Sequence, residues 1–330
     1  MSHVSDTPRR ASVVVVGAGV SGLTCGVRLL EEGHDVQIWA RERTPNTTSD
    51  VAAATWSPLR GERDERTETW LPVSLSRFTA LAASPDSGVV LREGIELFRR
   101  PTDDTWWRDV LPGFRRARAD ELPGGFADGF VAQGIPVIEM PLYLQWLTRR
   151  FESLGGRSVM RTVTTLDEIE TADVVVNCAG LGARALAGDA SMVAVRGQVV
   201  RVEQFGLDRY ILDEQSPDGI AYVYPRSNDV VLGGTREPGN ERIEPDPETA
   251  REIVGRCAAL EPRVASARIL SHAVGLRPGR PTVRLEAERP GPGRLLVHDY
   301  GHGGSGVTLS WGCAEDVAAL IRAEQPAAAG

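Results

Sequence analysis

Three glycines, an arginine set before a proline, and two tyrosines two residues apart are the parts of this chain whose types and spacing could do chemistry. Gly17, Gly19 and Gly22 form G-x-G-x-x-G directly after the run Val13-Val14-Val15-Val16. A strand that turns sharply into a helix at such a motif brings free backbone N–H groups to the helix N-terminus, where a pyrophosphate can be held. Glycine serves the tight turn, the backbone approach to the phosphates and the close packing of helix on strand. Glu42 follows about twenty residues later, where a carboxylate can hydrogen-bond an adenosine ribose. Its neighbour Arg41 would also suit the 2′-phosphate of NADP, and the plain alternative for both is a solvated strand end. The motif alone does not separate FAD from NAD.

Arg277 precedes Pro278, which biases it toward an extended conformation. A guanidinium there can grip a carboxylate through two parallel hydrogen bonds, which lysine cannot do. The alternative is a surface arginine on a proline-rich loop, with Arg280 and Arg284 close by. Tyr222 and Tyr224 share one face of a strand, either as site hydroxyls or as packing aromatics of a half-buried sheet.

These groups need elements to position them. Leu23, Val27 and Leu30 recur at helical spacing after the motif, Gly33 ends that helix, and Val36, Ile38 and Trp39 make the next strand. The result is a strand–helix–strand unit of about thirty residues. Residues 44–72 read mainly as loop, with one helix beginning near Trp70. Residues 141–151 read as a helix with Leu144, Leu147 and Phe151 on one face. Residues 174–176 make a second buried strand that runs into Asn177-Cys178-Ala179-Gly180. From Gly197 the pattern turns to period two: residues 198–202 and 220–224 alternate, and a turn at 225–229 leads to 230–234, a hairpin signature. An antiparallel sheet is therefore expected inside an otherwise parallel α/β chain. Residues 294–298 form another strand, followed by a glycine-rich turn and a helix over 307–323.

At 330 residues the chain is long enough for two packed units. Its 42% apolar and 25% charged residues are ordinary for a soluble protein. A net charge of −8 without blocks of like charge argues against a nucleic-acid surface. Cys25, Cys178, Cys257 and Cys313 form no CxxC pair and read as reduced, mostly buried thiols, and five histidines without ligand spacing give no metal site. No apolar run approaches the ~20 residues of a membrane span. The start MSHVSDTPRR lacks a signal-peptide core and the end EQPAAAG carries no peroxisomal address, so a cytoplasmic protein is expected.

Five segments together resemble the D-amino acid oxidase family, over about residues 11 to 320: RERTPNTTSDVAAATWSPLR, VVVNCAGLGA, AYVYPRSNDVVLGGT, VGLRPGRPTVRLE and HDYGHGGSGVTLSWGCA. The resemblance implies an α/β fold: a Rossmann-like FAD-binding domain (residues 11–75, 137–190 and 268–325) with an inserted antiparallel β-sheet substrate-binding domain (76–136 and 191–267). It implies non-covalent FAD held by Gly17, Ala18, Gly19, Val20, Ser21 and Gly22, with Arg41 and Glu42. A Thr-rich loop (Thr47, Thr48, Ser49) would approach the phosphates, and Ala53, Ala54, Thr55 and Trp56 would lie along the isoalloxazine. Val163, Cys178, Ala179 and Gly180 would add further contacts. The C-terminal signature would supply Gly301, His302, Gly303, Gly304, Gly306, Val307 and Thr308, the last facing the flavin pyrimidine from a helix N-terminus.

For the substrate the resemblance implies Arg277 and Tyr222 on the carboxylate, the Gly304 carbonyl on the amine, and Ser305 beside it. Arg277 borders the flavin as well. His302 is tempting as a base, but the family's hydride transfer from Cα to flavin N5 needs none. Partners would be a D-amino acid and oxygen, with no nucleic acid or membrane, and the assembly admits a homodimer. Two departures stand out. Ala54 takes a position usually glycine, and residues 216–219 hold no tyrosine where many members carry a lid. Rival activities are D-aspartate oxidation, for which Arg226 beside the hairpin is a candidate second cation although a solvated turn residue is its plainer reading, glycine or sarcosine oxidation, an NADP-dependent reductase, and a catalytically silent flavoprotein.

Overall fold

The computed structural model describes residues 10–57, 65–102, 111, 113–291 and 293–324; both tails and the last residues of the RERTP…SPLR segment lie outside these. In chain order the strands are β1 (Ser12–Val16), β2 (Asp35–Ala40), β3 (Val89–Phe98), β4 (Arg115–Arg116), β5 (Asp128–Ile138), β6 (Arg157–Met160), β7 (Val174–Asn177), β8 (Val193–Glu203), β9 (Tyr210–Asp213), β10 (Ala221–Pro225), β11 (Asp229–Gly233), β12 (Glu237–Pro238), β13 (Ile269–Gly279), β14 (Arg284–Gly291) and β15 (Arg294–Tyr300). The helices are α1 (Val20–Glu31), α2 (Thr48–Val51), α3 (Glu65–Leu81), α4 (Met140–Ser153), α5 (Ala183–Leu186), α6 (Pro247–Leu260) and α7 (Gly306–Glu324).

The first sheet runs β14-β15-β7-β1-β2-β6, parallel from β15 to β6, with β14 antiparallel at one edge. Its central strand is the valine run, flanked in register by Val36 and Ile38 on one side and Val174 and Val176 on the other. Both faces of β1 are covered, which is why its sequence is continuously apolar rather than alternating. Leu23 and Val27 of α1 are buried, and that helix packs on α7 and α4.

The second sheet runs β12-β8-β11-β10-β9-β3-β5-β4, with β13 also paired to β8. The expected hairpin is β10–β11, with Tyr222 opposite Gly233 and Val223 opposite Leu232. This sheet departs from a purely antiparallel one, because β3 and β9 run parallel. From Ile269 opposite Val202 to Gly279 opposite Val193, β13 is bonded to β8 of the second sheet.

Alternation along this sheet sorts its side chains. Tyr222, Tyr224, Val231 and Leu212 face the large core shared with the first sheet, while Val223, Val230, Leu232 and Ile211 pack with Ile253 and Cys257 of α6. Helix α6 lies outside the elements read from sequence. Asp246 caps it by accepting from the Thr249 N–H at 2.8 Å, and Ala250, Ile253, Cys257 and Leu260 form its buried face. The short α2 likewise interrupts the segment read as loop, and α3 begins at Glu65, five residues before Trp70. All four cysteines are free and buried. Among the described residues no helix is long and apolar enough to cross a membrane.

Candidate active site

The turn from β1 into α1 closes on the end of β7. Gly17 has φ +113°, and a β-carbon there would overlap the Cys178 carbonyl oxygen; one at Gly22 would overlap the carbonyl oxygen of Gly17 itself. Both glycines are thus fixed by backbone conformation or by space. Gly19 caps α1 without a side chain of its own, and the first helical turn carries no acidic residue. Ser49 reaches the same place: its Oγ accepts from the Val20 N–H at 3.0 Å. A helix start free of carboxylates, walled by backbone and lined by a hydroxyl, fits a pyrophosphate. The residues present therefore fit FAD.

Asp50, which the sequence reading passed over, organises the loop that brings Ser49 there. Its carboxylate accepts from the Thr47 N–H (2.9 Å), the Thr47 hydroxyl (2.7 Å) and the Thr44 hydroxyl (2.6 Å). Arg41 and Glu42 lie at the rim, with side chains 72% and 51% exposed, and pair with each other at 3.2 Å. Val163 packs in a small cluster with Val14, Val16, Trp39 and Ala179. Cys178 and Ala179 stand beside Gly17, and Gly180 follows with φ +56°.

Residues 53–56 are sewn to the end of β5. The Ile138 N–H donates to the Ala54 carbonyl (2.9 Å) and the Trp56 N–H to that of Pro136 (2.8 Å). Ala54 has φ +51°, so this alanine holds the left-handed conformation that favours glycine. Trp56 is a core residue: it is fully buried and its indole donates to the Leu71 carbonyl at 3.2 Å. Thr308, in the first turn of α7, brings its hydroxyl to 3.5 Å from the Thr55 carbonyl.

The other half of the site lies where β13 crosses β8. The chain has no lysine, so every side-chain cation other than histidine is a guanidinium. Arg277 lays its guanidinium over Gly197, where a β-carbon would overlap it. Its Nη1 donates to the carbonyls of Thr235 (3.0 Å) and Arg196 (3.4 Å). Among the described residues no carboxylate lies within ion-pair distance of it. Gly197 and Thr235 were not singled out in the sequence; a glycine inside an alternating strand is the signal that marks a close approach.

Tyr222 is buried beside Arg277, with its ring over Gly233 and its hydroxyl near Gly234. Burial pushes its phenol up to about 12, against the opposing pull of the Arg277 charge. It stacks on Tyr224 at 4.5 Å, and Tyr224 meets Tyr210 edge-on at 5.6 Å. Burial also holds the Tyr224 phenol well above its ordinary range. Tyr224 is thus a packing aromatic that backs Tyr222. Gly304 sits over Arg277, where a β-carbon would lie 3.8 Å from its Cδ. The Gly303 N–H donates to the Pro278 carbonyl at 2.8 Å, which ties the turn to β13. Ser305 starts α7, its carbonyl accepting from the Leu309 N–H at 3.0 Å.

Arg226, the sequence candidate for a second substrate cation, is not available. It is buried and bonds Asp229 with two nitrogens, at 2.6 and 2.9 Å, and Arg201 joins the same carboxylate.

Comparison with known proteins agrees with this geometry. The family described as "FAD dependent oxidoreductase" matches residues 12–320. The chain is 53% identical to a D-amino-acid oxidase of Rubrobacter xylanophilus over 317 residues, covering 95% of this chain and 96% of that one. It is 39% identical over 326 residues to the human D-aspartate oxidase, covering 94% of each. Glycine oxidase from Geobacillus kaustophilus superposes with a TM-score of 0.80 at 20% identity, covering 97% and 96% of the two chains, and so shares the fold.

Proposed function

The chain belongs to the family of FAD-dependent oxidoreductases, and on that premise we propose that it oxidises D-amino acids, mainly neutral ones, to 2-oxo acids and ammonia, with oxygen reduced to hydrogen peroxide. FAD, when bound, supplies the acceptor for the hydride that leaves the substrate α-carbon. The observation that carries the reading is Arg277, a half-buried guanidinium whose protein partners are carbonyls. A buried charge without a counter-ion is costly, and a substrate carboxylate would supply one.

Arg277 and the Tyr222 hydroxyl hold the carboxylate, and the Gly304 carbonyl accepts an N–H of the amine. With both groups held, the hydrogen and side chain on the α-carbon cannot exchange places, so one enantiomer presents its hydrogen for transfer. Catalysis of this kind is positional and asks no side chain to take the α-proton. The imino acid then leaves and hydrolyses. Commitment of Arg226 to Asp229 favours neutral side chains over D-aspartate, as does the higher identity to a D-amino-acid oxidase.

The test is the visible spectrum of the purified protein and its peroxide production with D-alanine, D-valine, D-aspartate, glycine and L-alanine. A yellow protein with turnover on D-alanine and D-valine is expected. A colourless protein, or a yellow one inert to every D-amino acid, contradicts the reading.

A further inference from the structure

Beneath the glycine-rich turn lies a buried polar cluster that the clamp does not use. Asp299, at the end of β15, is 1% exposed. Its Oδ2 is approached by the thiols of Cys25 on α1 (3.4 Å) and Cys178 after β7 (3.7 Å), and its Oδ1 by His302 Nε2 at 3.1 Å. Cys313 of α7 closes the group on the far side of His302. Thiols are weak donors, so the imidazole is the strongest partner this carboxylate has. Asp299 Oδ1 and His302 Nε2 are both buried and form no hydrogen bond with any described residue, so their 3.1 Å approach is the one close polar contact each of these atoms makes.

We propose that His302, held by Asp299, is a positioning residue that sets the 303–305 turn and thereby aims the Gly304 carbonyl at the substrate amine. This rests on the D-amino acid reading of the same site. Two attachments fix the turn. On one side the Gly303 N–H is bonded to the Pro278 carbonyl of the clamp strand; on the other the Ser305 N–H is bonded to the His302 carbonyl at 2.9 Å. The second attachment is only as fixed as His302, whose side chain is 3% exposed and reaches down to Asp299. Asp299 is in turn gripped from α1 and β7, the two elements that form the phosphate cradle. The cluster therefore joins the cradle to the amine-accepting turn through buried side chains.

The prediction separates the two substrate anchors. Releasing His302 displaces the amine acceptor and leaves the Arg277–Tyr222 clamp in place. The experiment compares holoenzyme with His302→Ala, His302→Gln and Asp299→Asn, each measured only on flavin-saturated protein. It reads kcat and KM for D-valine, and the dissociation constant of 3-methylbutanoate, the same skeleton without the amine, from the flavin spectrum. For His302→Ala we expect kcat/KM for D-valine to fall about 100-fold, the scale of an ångström-sized misplacement, with 3-methylbutanoate affinity within about twofold of the parent. His302→Gln, which keeps a donor toward Asp299, recovers part of the loss, and Asp299→Asn falls between. Unchanged D-valine kinetics in His302→Ala and Asp299→Asn overturn the proposal. So does an equal loss for D-valine and 3-methylbutanoate, which would mark a general structural role. If the parent enzyme itself neither bound 3-methylbutanoate nor oxidised D-valine, the underlying functional reading would be the one to fail.

Discussion

At the phosphate cradle the working parts are missing side chains: Gly17 backs onto the Cys178 carbonyl and Gly22 onto that of Gly17. At the substrate clamp the working parts are a guanidinium and a phenol, and the glycines beside them, Gly197 and Gly233, make room for those side chains. The cradle is contiguous, with one strand, one turn and one helix supplying it, and the β7 end closing it. The clamp gathers residues 197, 222, 235, 277 and 304 from separate strands and turns. The contrast teaches that damage to the cradle should be steric and act on the cofactor, whereas damage to the clamp should be electrostatic and act on the substrate.

The largest expected effect is at the cradle. Gly22→Ala forces a methyl group into backbone that cannot retreat, an overpacking cost of ~3 kcal/mol or more. The purified variant is expected to lack bound flavin; retained flavin with normal absorbance would break the steric half of the contrast. Arg277→Ala comes next. Loss of a buried charged hydrogen-bond pair costs ~2–5 kcal/mol, so kcat/KM for D-valine should fall by about 30- to 4,000-fold. Flavin content should stay at the parental level, and its loss would show that the clamp also builds the cradle.

Tyr222→Phe removes one hydrogen bond to a charged group, worth ~1.5 kcal/mol, so about a tenfold rise in KM is expected in steady-state kinetics. Ala54→Gly relieves a left-handed alanine, which costs ~1 kcal/mol, and should raise the thermal midpoint of the holoenzyme by about 1–2 °C. The smallest effect is an expected absence. Burial holds the Tyr222 phenol at about 12, so it stays protonated well past the ordinary tyrosine range. The dissociation constant of 3-methylbutanoate should accordingly be flat between pH 7 and 10, and a weakening centred near 10 would mean an exposed phenol.

The cradle was legible because its signals are local: a valine run, three glycines and helical spacing lie within one stretch of chain. The β10–β11 hairpin was legible for the same reason, since its period-two pattern and its turn are adjacent. Where pairing is remote, the sequence ran out. Nothing within residues 269–279 says that they bond to residues 193–202. Arg226 looked like an open turn residue because its partner Asp229 and its burial emerge only when the hairpin folds onto the rest. Helix α6 carries a readable start in Asp246-Pro247, an N-cap followed by proline at the first helical position. Asp299 gave no signal at all, since its meaning depends on thiols brought in from α1, α7 and the end of β7.

Anaerobic mixing of the purified, flavin-loaded protein with D-valine and, separately, with L-valine addresses the central claim most directly. It reads the yellow absorption of the bound flavin before oxygen can intervene. Bleaching by D-valine and none by L-valine is the result expected from a carboxylate held at Arg277 and Tyr222 and an amine held at Gly304. Bleaching by both enantiomers, or by L-valine alone, would contradict that arrangement.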